Sequence, residues 1–477
     1  MLRLLSLCVI LFASTAGAAE RPNVLLIMAD DYCTALDSYG REQCRTPNLD
    51  RLARQGVSFD NAFCQFSLCG PSRSSMICGM YPSATGVTTN WVKFRDRLPD
   101  HVTLPQLFSR HGYWAGRVGK ILHMTTRDHL EGWPGNDDAE SWDLAVNLQG
   151  PEWTTLGKRE VLSPRIKIFG QQFLRIEAEG DDLSQVDGKA ASAAIELLEA
   201  RADDEKPFFL AVGFFRPHVP LVAPKKYFEP FPSDEMKLPP QIPNDLDDLP
   251  AAALTQTNKV KYGMNERQAR GAISSYYAAV AYMDAQAGRV LDALDELGLR
   301  DNTIVVFTSD HGYHLGEHTM WQKLSTFEEG SRVPLIVSAP GQQARNQRSS
   351  QIVELVDLYP TLAELAGLPT PEVIQGASFG KLLDDPSAER TKQDAYLRSH
   401  NSEALRTPHY KYIEFREQGE EGEVGAGEMT PVLFDLDRDP HEYTNLAGDP
   451  AYAEAQSTLR ARLDAIRRQA KQPGVRE

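Results

Sequence analysis

The stretch Asn23-Val24-Leu25-Leu26-Ile27-Met28-Ala29 runs without a break into Asp30-Asp31, and far down the chain Thr303-Ile304-Val305-Val306-Phe307-Thr308-Ser309 runs into Asp310-His311. A short, continuous apolar run that stops on polar residues is the pattern of a strand buried on both faces. Pro207–Gly213 and Val333–Ala339 have the same form, and all four are expected as buried parallel strands. Between them Ile273, Tyr277, Val280, Ala287, Leu291 and Leu294 recur at helical spacing, and Gly298 marks a helix stop just before the 303 strand. Strands alternating with helices predict an α/β fold, with a large, mostly parallel sheet sandwiched by helices. In open sheets of this kind ligands bind beyond the carboxyl ends of the strands, so both acid pairs are placed to meet at one rim. Asp30, Asp31, Asp310 and His311 together suit a divalent cation, and mostly oxygen donors favour Ca²⁺ or Mg²⁺. Taken singly, acids at strand ends also serve as helix caps or solvated turns.

The chain of 477 residues is 42% hydrophobic and 24% charged, an ordinary globular balance and too long for one small domain. Its 50 basic residues against 66 acidic ones give −16. That excludes sequence-independent binding to nucleic acid or to an anionic membrane, while a local field can still hold an anionic substrate. Arg3, the apolar Leu4–Ala13 and the small residues Ser14–Ala18 read as a secretory signal peptide over 1–18, cleaved near Ala18. The mature chain is therefore expected in the periplasm or secreted. Neither this segment nor any later one is long enough to span a bilayer, so no membrane insertion is expected after signal removal.

A catalytic domain is expected over 19–384. Its Pro-, Gly- and Asp-rich stretches 125–190 and 230–270 read as excursions from the sheet, where substrate specificity resides. After Asp384 the character changes. Short strands at Ala395–Ser399, Tyr410–Phe415 and Val432–Leu436 and a basic helix at Leu459–Lys471 predict a smaller α+β C-terminal subdomain over 385–477.

Once Cys8 leaves with the signal, Cys33, Cys44, Cys64, Cys69 and Cys78 remain, all within the first hundred residues. An odd count in an exported chain sets one cysteine apart and leaves four for two disulfides, in any of three connectivities. One of the five, Cys69, stands in Ser67-Leu68-Cys69-Gly70-Pro71-Ser72-Arg73-Ser74. Pro71 suits the first turn of a helix, which puts Cys69 at a helix N-terminus with Arg73 one turn further in.

Cys69-Gly70-Pro71-Ser72-Arg73 has the form C-x-P-S-R and resembles the signature of the formylglycine-dependent sulfatases, on the alkaline-phosphatase-like fold. The resemblance continues in order through Ala29-Asp30-Asp31, Thr46-Pro47-Asn48-Leu49-Asp50, Gly119-Lys120 with His123, Ser309-Asp310-His311-Gly312 and Leu315-Gly316-Glu317-His318. It ends with Leu433-Phe434-Asp435-Leu436 and Asn445-Leu446. Arg216-Pro217-His218-Val219-Pro220 and Trp321-Gln322-Lys323 are most similar to the iduronate-2-sulfatase branch.

The resemblance implies that Cys69 is oxidised by a formylglycine-generating enzyme before folding, and that the hydrate of the resulting 3-oxoalanine is the nucleophile. It also implies one Ca²⁺ held by Asp30, Asp31, Asp310, His311 and an oxygen of modified Cys69. Arg73 orients the diol, Lys120 and Lys323 neutralise the sulfate, and His123 and His218 share the acid and base roles. The implied substrate is a sulfate monoester on a uronic acid or other sugar of a sulfated polysaccharide.

Two other readings remain at this stage: a phosphate or phosphonate monoester hydrolase on the same fold, and an inactive binder of sulfated glycans. His314-Leu315-Gly316-Glu317-His318 also fits H-x-x-E-H, a zinc peptidase pattern, but Gly316 and the closeness of Asp310-His311 predict a loop rather than the helix that chemistry needs. Trp91 and Lys93, shortly after the nucleophile segment, are read equally as pocket, core or surface.

Overall fold

The computed structural model describes residues 21–40, 43–167, 171–254, 262–416 and 429–472; the predicted signal segment lies outside them. A nine-stranded sheet forms the centre. Asn23–Asp30 lies in its middle, paired in parallel with Thr303–Ser309 on one side and Phe208–Pro217 on the other. Trp114–Gly119 and then Leu144–Val146 extend the sheet beyond Phe208–Pro217, also in parallel.

Alternate residues of the central strand feed two separate cores. Leu25, Ile27 and Ala29 face one, and Val24, Leu26 and Met28 face the other. Burial on both faces is why the run is apolar at every position rather than every second one. Helix Glu266–Glu296, started by an Asn265–Gln268 capping box, covers the first core together with Val186–Arg201 and Pro47–Gln55. Cys69–Cys78, Leu104–Arg110 and Leu358–Leu365 cover the second. Gly298 sits just past the long helix at φ 69°, where a left-handed residue ends the chain's helical run.

Three expectations need correction. Val333–Ala339 is not one parallel strand. Pro334 has no N–H to give a ladder, and it splits the run into Arg332–Val333 and Leu335–Ser338, both antiparallel to their neighbours. Pro207–Gly213 is the first part of a longer strand that continues to Pro217. No disulfide forms among the described cysteines; all are buried, Cys33 and Cys44 in one core and Cys64 and Cys78 in the other, so the sheet rules out pairings across it.

Ala395–Arg398, Ser402–Arg406, Tyr410–Phe415 and Thr430–Asp435 form a four-stranded antiparallel sheet, followed by helix Ala453–Gln469. This sheet is joined to the rest by a backbone bridge from Phe66 to Arg398 and by a core that mixes Phe63, Met320 and Phe327 with Leu397, Ile413 and Phe434. Among the described residues no helix is long and apolar enough to cross a membrane.

Candidate active site

The register of four parallel strands delivers the site. The central strand ends at Asp30 and turns at Asp31, whose φ of 64° swings its side chain back over the strand end. Thr303–Ser309 ends beside it, and the Asp31 N–H donates to Asp310 Oδ1 at 3.1 Å. On the other side Phe208–Pro217 leads into His218, and Trp114–Gly119 leads into Lys120 and His123. Helix Cys69–Cys78 points its first residue at this rim, and all ten of its residues are buried.

Cys69 Sγ lies 3.7 Å from Asp30 Oδ1, 3.4 Å from His311 Nε2 and 3.3 Å from Lys323 Nζ. Arg73 is wholly buried. Its Nη2 donates to Asp30 Oδ1 at 3.0 Å, its Nε to Asp310 Oδ2 at 2.9 Å, and its Nη1 to the Lys120 and Ile121 carbonyls. Lys120 Nζ lies 2.5 Å from Asp30 Oδ2 and 4.9 Å from the Phe215 ring centroid, while Lys323 Nζ pairs with Asp31 Oδ1. Three carboxylates thus face three permanent cations. Burial works against the Asp30 charge, but the cations, led by Lys120, hold its carboxyl well below the usual range. For Asp31 burial prevails and its carboxyl is pushed up. Burial also pushes up the Cys69 thiol.

Two histidines are fixed as hydrogen-bond donors at Nδ1. His311 Nδ1 faces the Gly312 carbonyl at 2.9 Å, and His218 Nδ1 faces the Val219 carbonyl at 2.6 Å. A carbonyl only accepts, so each Nδ1 carries a proton, and Nε2 is the atom left to face the site. His311 Nε2 then lies 3.3 Å from Asp31 Oδ1 and 3.5 Å from Asp310 Oδ2, and His218 Nε2 lies 3.8 Å from Asp31 Oδ2. Burial pushes His123 and His218 well below the usual imidazole range. His123, His218 and Lys323 share a slight exposure of 8%, against 0–1% for Asp30, Asp31, Cys69, Arg73, Asp310 and His311, so these three ring the mouth.

The donor atoms cluster closely enough to hold a cation. Asp31, Cys69 and His311, and again Asp30, Cys69 and Asp310, bring ligand atoms within 4.8 Å of one another. Asp31 Oδ2 is buried without a hydrogen-bond partner, and His311 Nε2 faces the same nest. Such a set fits a hard divalent cation.

Lys323 arrives on a loop of unusual backbone. Gly316 is at φ 113°, and His318, Thr319, Gln322 and Leu324 are all left-handed, with φ between 50° and 75°. Each such non-glycine residue costs about 1–2 kcal/mol, so packing must hold the loop. The Leu324 N–H donates to the Ser67 carbonyl, just ahead of helix Cys69–Cys78. Behind the loop Glu328 accepts from Arg406 at 3.2 Å and Lys411 at 3.1 Å, both on the C-terminal sheet, and Lys411 reaches Glu442 at 3.0 Å.

His314 and His318 do not converge. His314 Nε2 faces Ser325 Oγ at 2.7 Å and His318 Nδ1 faces Asp245 Oδ1 at 3.1 Å, on a non-helical segment, so the zinc peptidase pattern is accidental. Burial alone would lower His318, but Asp245, Glu329 and Glu442 outweigh it and push it up to about 9. A group raised in the folded state stabilises fully below its ordinary value near 6.5, and that contribution is lost as pH rises through 9. Urea-unfolding free energies are therefore expected to fall by roughly 2–3 kcal/mol between those limits, and H318Q is expected to flatten the slope. An equal slope in H318Q would refute the assignment.

All of Asp30, Asp31, Cys69, Arg73, Lys120, His123, His218, Asp310, His311 and Lys323 thus lie around one rim. Sequence reasoning missed His129, which stacks on Phe215 with ring centroids 4.4 Å apart and has both ring nitrogens buried without hydrogen-bond partners. It also missed Asn90, whose Oδ1 accepts the Gly70 N–H at 2.8 Å. Neither stands in a motif; only the folded chain brings them here.

Residues 22–368 match the Sulfatase family, and residues 316–469 match the family described as N-sulphoglucosamine sulphohydrolase, C-terminal. Iduronate 2-sulfatase of Mus musculus is 33% identical over 415 residues, covering 77% of this chain and 73% of the mouse protein. Among solved structures, one in complex with its substrate D-glucosamine-2-N,6-O-disulfate superposes with a TM-score of 0.73 at 24% identity, covering 96% of this chain and 100% of that one. A phosphonate monoester hydrolase from Silicibacter pomeroyi superposes with a TM-score of 0.78 at 21% identity, covering 94% and 96%. The two structures establish the fold, a large mixed sheet flanked by helices with small antiparallel sheets beside it. With the family match across most of its length, the chain belongs to the sulfatase family and is a sulfuric ester hydrolase.

Proposed function

We propose that this protein removes sulfate from a sugar unit, a uronic acid or its neighbour, of a sulfated polysaccharide. The observation that carries the reading is the convergence of Cys69, three carboxylates, His311 and two lysines within a few ångströms of one point. The sugar is inferred from the likeness to iduronate 2-sulfatase. In this reading Asp30, Asp31, Asp310 and His311 hold Ca²⁺ beside residue 69. Calcium there supplies Lewis-acid polarisation of the sulfate oxygens. Formylglycine made from Cys69 by a formylglycine-generating enzyme supplies, as its hydrate, the hydroxyl nucleophile.

The chain's own groups do the rest. Arg73 fixes Asp30 and Asp310 from behind, so the carboxylates are positioned before substrate arrives. Lys120 and Lys323 are placed to neutralise the sulfate oxygens as negative charge builds. His123 and His218, at the mouth, move the protons: one to the leaving sugar oxygen, the other from the nucleophile. Residues 19–384 carry the nucleophile and its partners, and 385–477 serve as a C-terminal subdomain that braces the Lys323 loop. Export to the periplasm or beyond rests on the sequence of residues 1–18 alone.

The test is mass spectrometry of the Cys69 peptide together with sulfate release, on protein made with a converting enzyme. A loss of about 18 Da with turnover supports the reading. An unmodified thiol in protein that still turns over sulfate esters would remove formylglycine from it, and binding without turnover by modified protein would favour a glycan-binding role. Lys120→Ala and Lys323→Ala are each expected to lower kcat by about 10²–10³, the usual effect of losing one preorganised charge. The likeness in fold to a phosphonate monoester hydrolase supports a second reading, decided by assaying sulfate, phosphate and phosphonate esters of one leaving group.

A further inference from the structure

Trp91 is the most exposed large apolar side chain among the described residues, at 81%. Single exposed apolar residues are ordinary on protein surfaces and by themselves mean nothing. Position sets this one apart. Asn90, the preceding residue, is pinned against the start of the nucleophile helix: its Oδ1 accepts the Gly70 N–H at 2.8 Å, and a Cβ on Gly70 would lie 3.0 Å from the Asn90 Cα. Adjacent Cα atoms are about 3.8 Å apart, so the Trp91 backbone stands one residue from the neighbour of Cys69.

The same Asn90 is tied to the other wall of the mouth. Its carbonyl accepts from Asn136 Nδ2 at 2.6 Å, and the Asn136 N–H donates to the His123 carbonyl at 2.8 Å. The Trp91 N–H is held by Thr89 Oγ1 at 3.3 Å. An exposed indole is thus carried on a backbone tied on one side to the start of helix Cys69–Cys78 and on the other to the His123 segment. Trp133, on the loop bearing Asn136, is by contrast covered by the Arg127 guanidinium at 5.3 Å.

We propose that Trp91 is a binding platform for the substrate: its ring stacks on the apolar C–H face of a pyranose in a sulfated oligosaccharide whose ester reaches residue 69. An indole offers a large, flat, rigid surface at low entropic cost, and a sugar ring offers a flat array of C–H groups of matching size. Lys93, exposed two residues on, gives the same loop a cation for a carboxylate or a second sulfate on that sugar. The inference rests on the sulfated-sugar reading above and adds to it the place where the sugar lies.

The experiment compares wild type, W91A and W91F, each made with a converting enzyme, on 4-nitrocatechol sulfate and on a heparin disaccharide carrying a 2-O-sulfated uronate. The ratio of kcat/KM for the disaccharide to that for the aryl sulfate is expected to fall roughly tenfold in W91A, through KM, and to return largely in W91F. An unchanged ratio would overturn the platform. If no variant cleaves any sulfate ester, the functional reading fails. Trp91 is then judged by tryptophan fluorescence titrated with the same disaccharide: saturable quenching in wild type that W91A lacks supports the platform, and identical titrations refute it.

Discussion

Cys69→Ala is expected to lower kcat for sulfate ester hydrolysis by about 10⁴-fold or more, the scale on which loss of a covalent nucleophile is felt. The side chain is fully buried at the first position of a helix, 3.3–3.7 Å from a lysine, a carboxylate and an imidazole, and no other group among the described residues stands at that point. Replacing it by alanine removes one sulfur from a closed site and should leave folding intact. The check is steady-state kinetics on 4-nitrocatechol sulfate, with thermal unfolding showing that the variant is folded. More than a hundredth of wild-type activity in a folded variant would mean that residue 69 is not the nucleophile.

Arg73→Met should have the largest effect on stability. Arg73 is wholly buried and makes two charge-assisted bonds to Asp30 and Asp310 and two more to carbonyls. Without it, Asp30, Asp31 and Asp310 face only Lys120 and Lys323. Removing one partner of a buried ion pair costs about 3–5 kcal/mol, mainly because the remaining charge cannot reach water. Urea unfolding in the presence of a chelator should show a loss of that size in Arg73→Met. Arg73→Lys should lie between, since it restores the charge but not the two-pronged geometry. A loss below 1 kcal/mol in Arg73→Met would show that the carboxylates take up protons instead.

How much of this was legible in the sequence depended on whether a signal was local. The central strand and Thr303–Ser309 were readable because burial on both faces leaves an unbroken apolar run, and the acids that end them were readable as a site because both runs stop alike. Val57–Phe63 and Gln347–Glu354 were not, because polar residues interrupt them and they lie toward one side of the sheet. Helix Cys69–Cys78 is buried all round and so has no apolar stripe to detect. Lys120 and Lys323 lie 90 and 292 residues from the aspartates they meet. No periodicity reveals a pairing at that distance; only the resemblance to sulfatases singled them out. Pro334 was visible in the sequence, and the break it makes follows from its missing N–H; the antiparallel direction of the two pieces is set by the path of the chain and left no local mark.

The bracing of the Lys323 loop by the C-terminal sheet has a consequence in time. Cys69 is enclosed only when Thr303–Ser309 has joined the central strand and Lys323 has been pressed into place from behind. The last of those residues, Lys411, leaves the ribosome roughly 340 positions after Cys69. At about 5–20 residues per second, the thiol stays open for about 17 to 70 s while that part of the chain is made. If residue 69 is modified as proposed above, the order of segments along the chain keeps it open to the modifying enzyme until the C-terminal sheet docks behind the Lys323 loop.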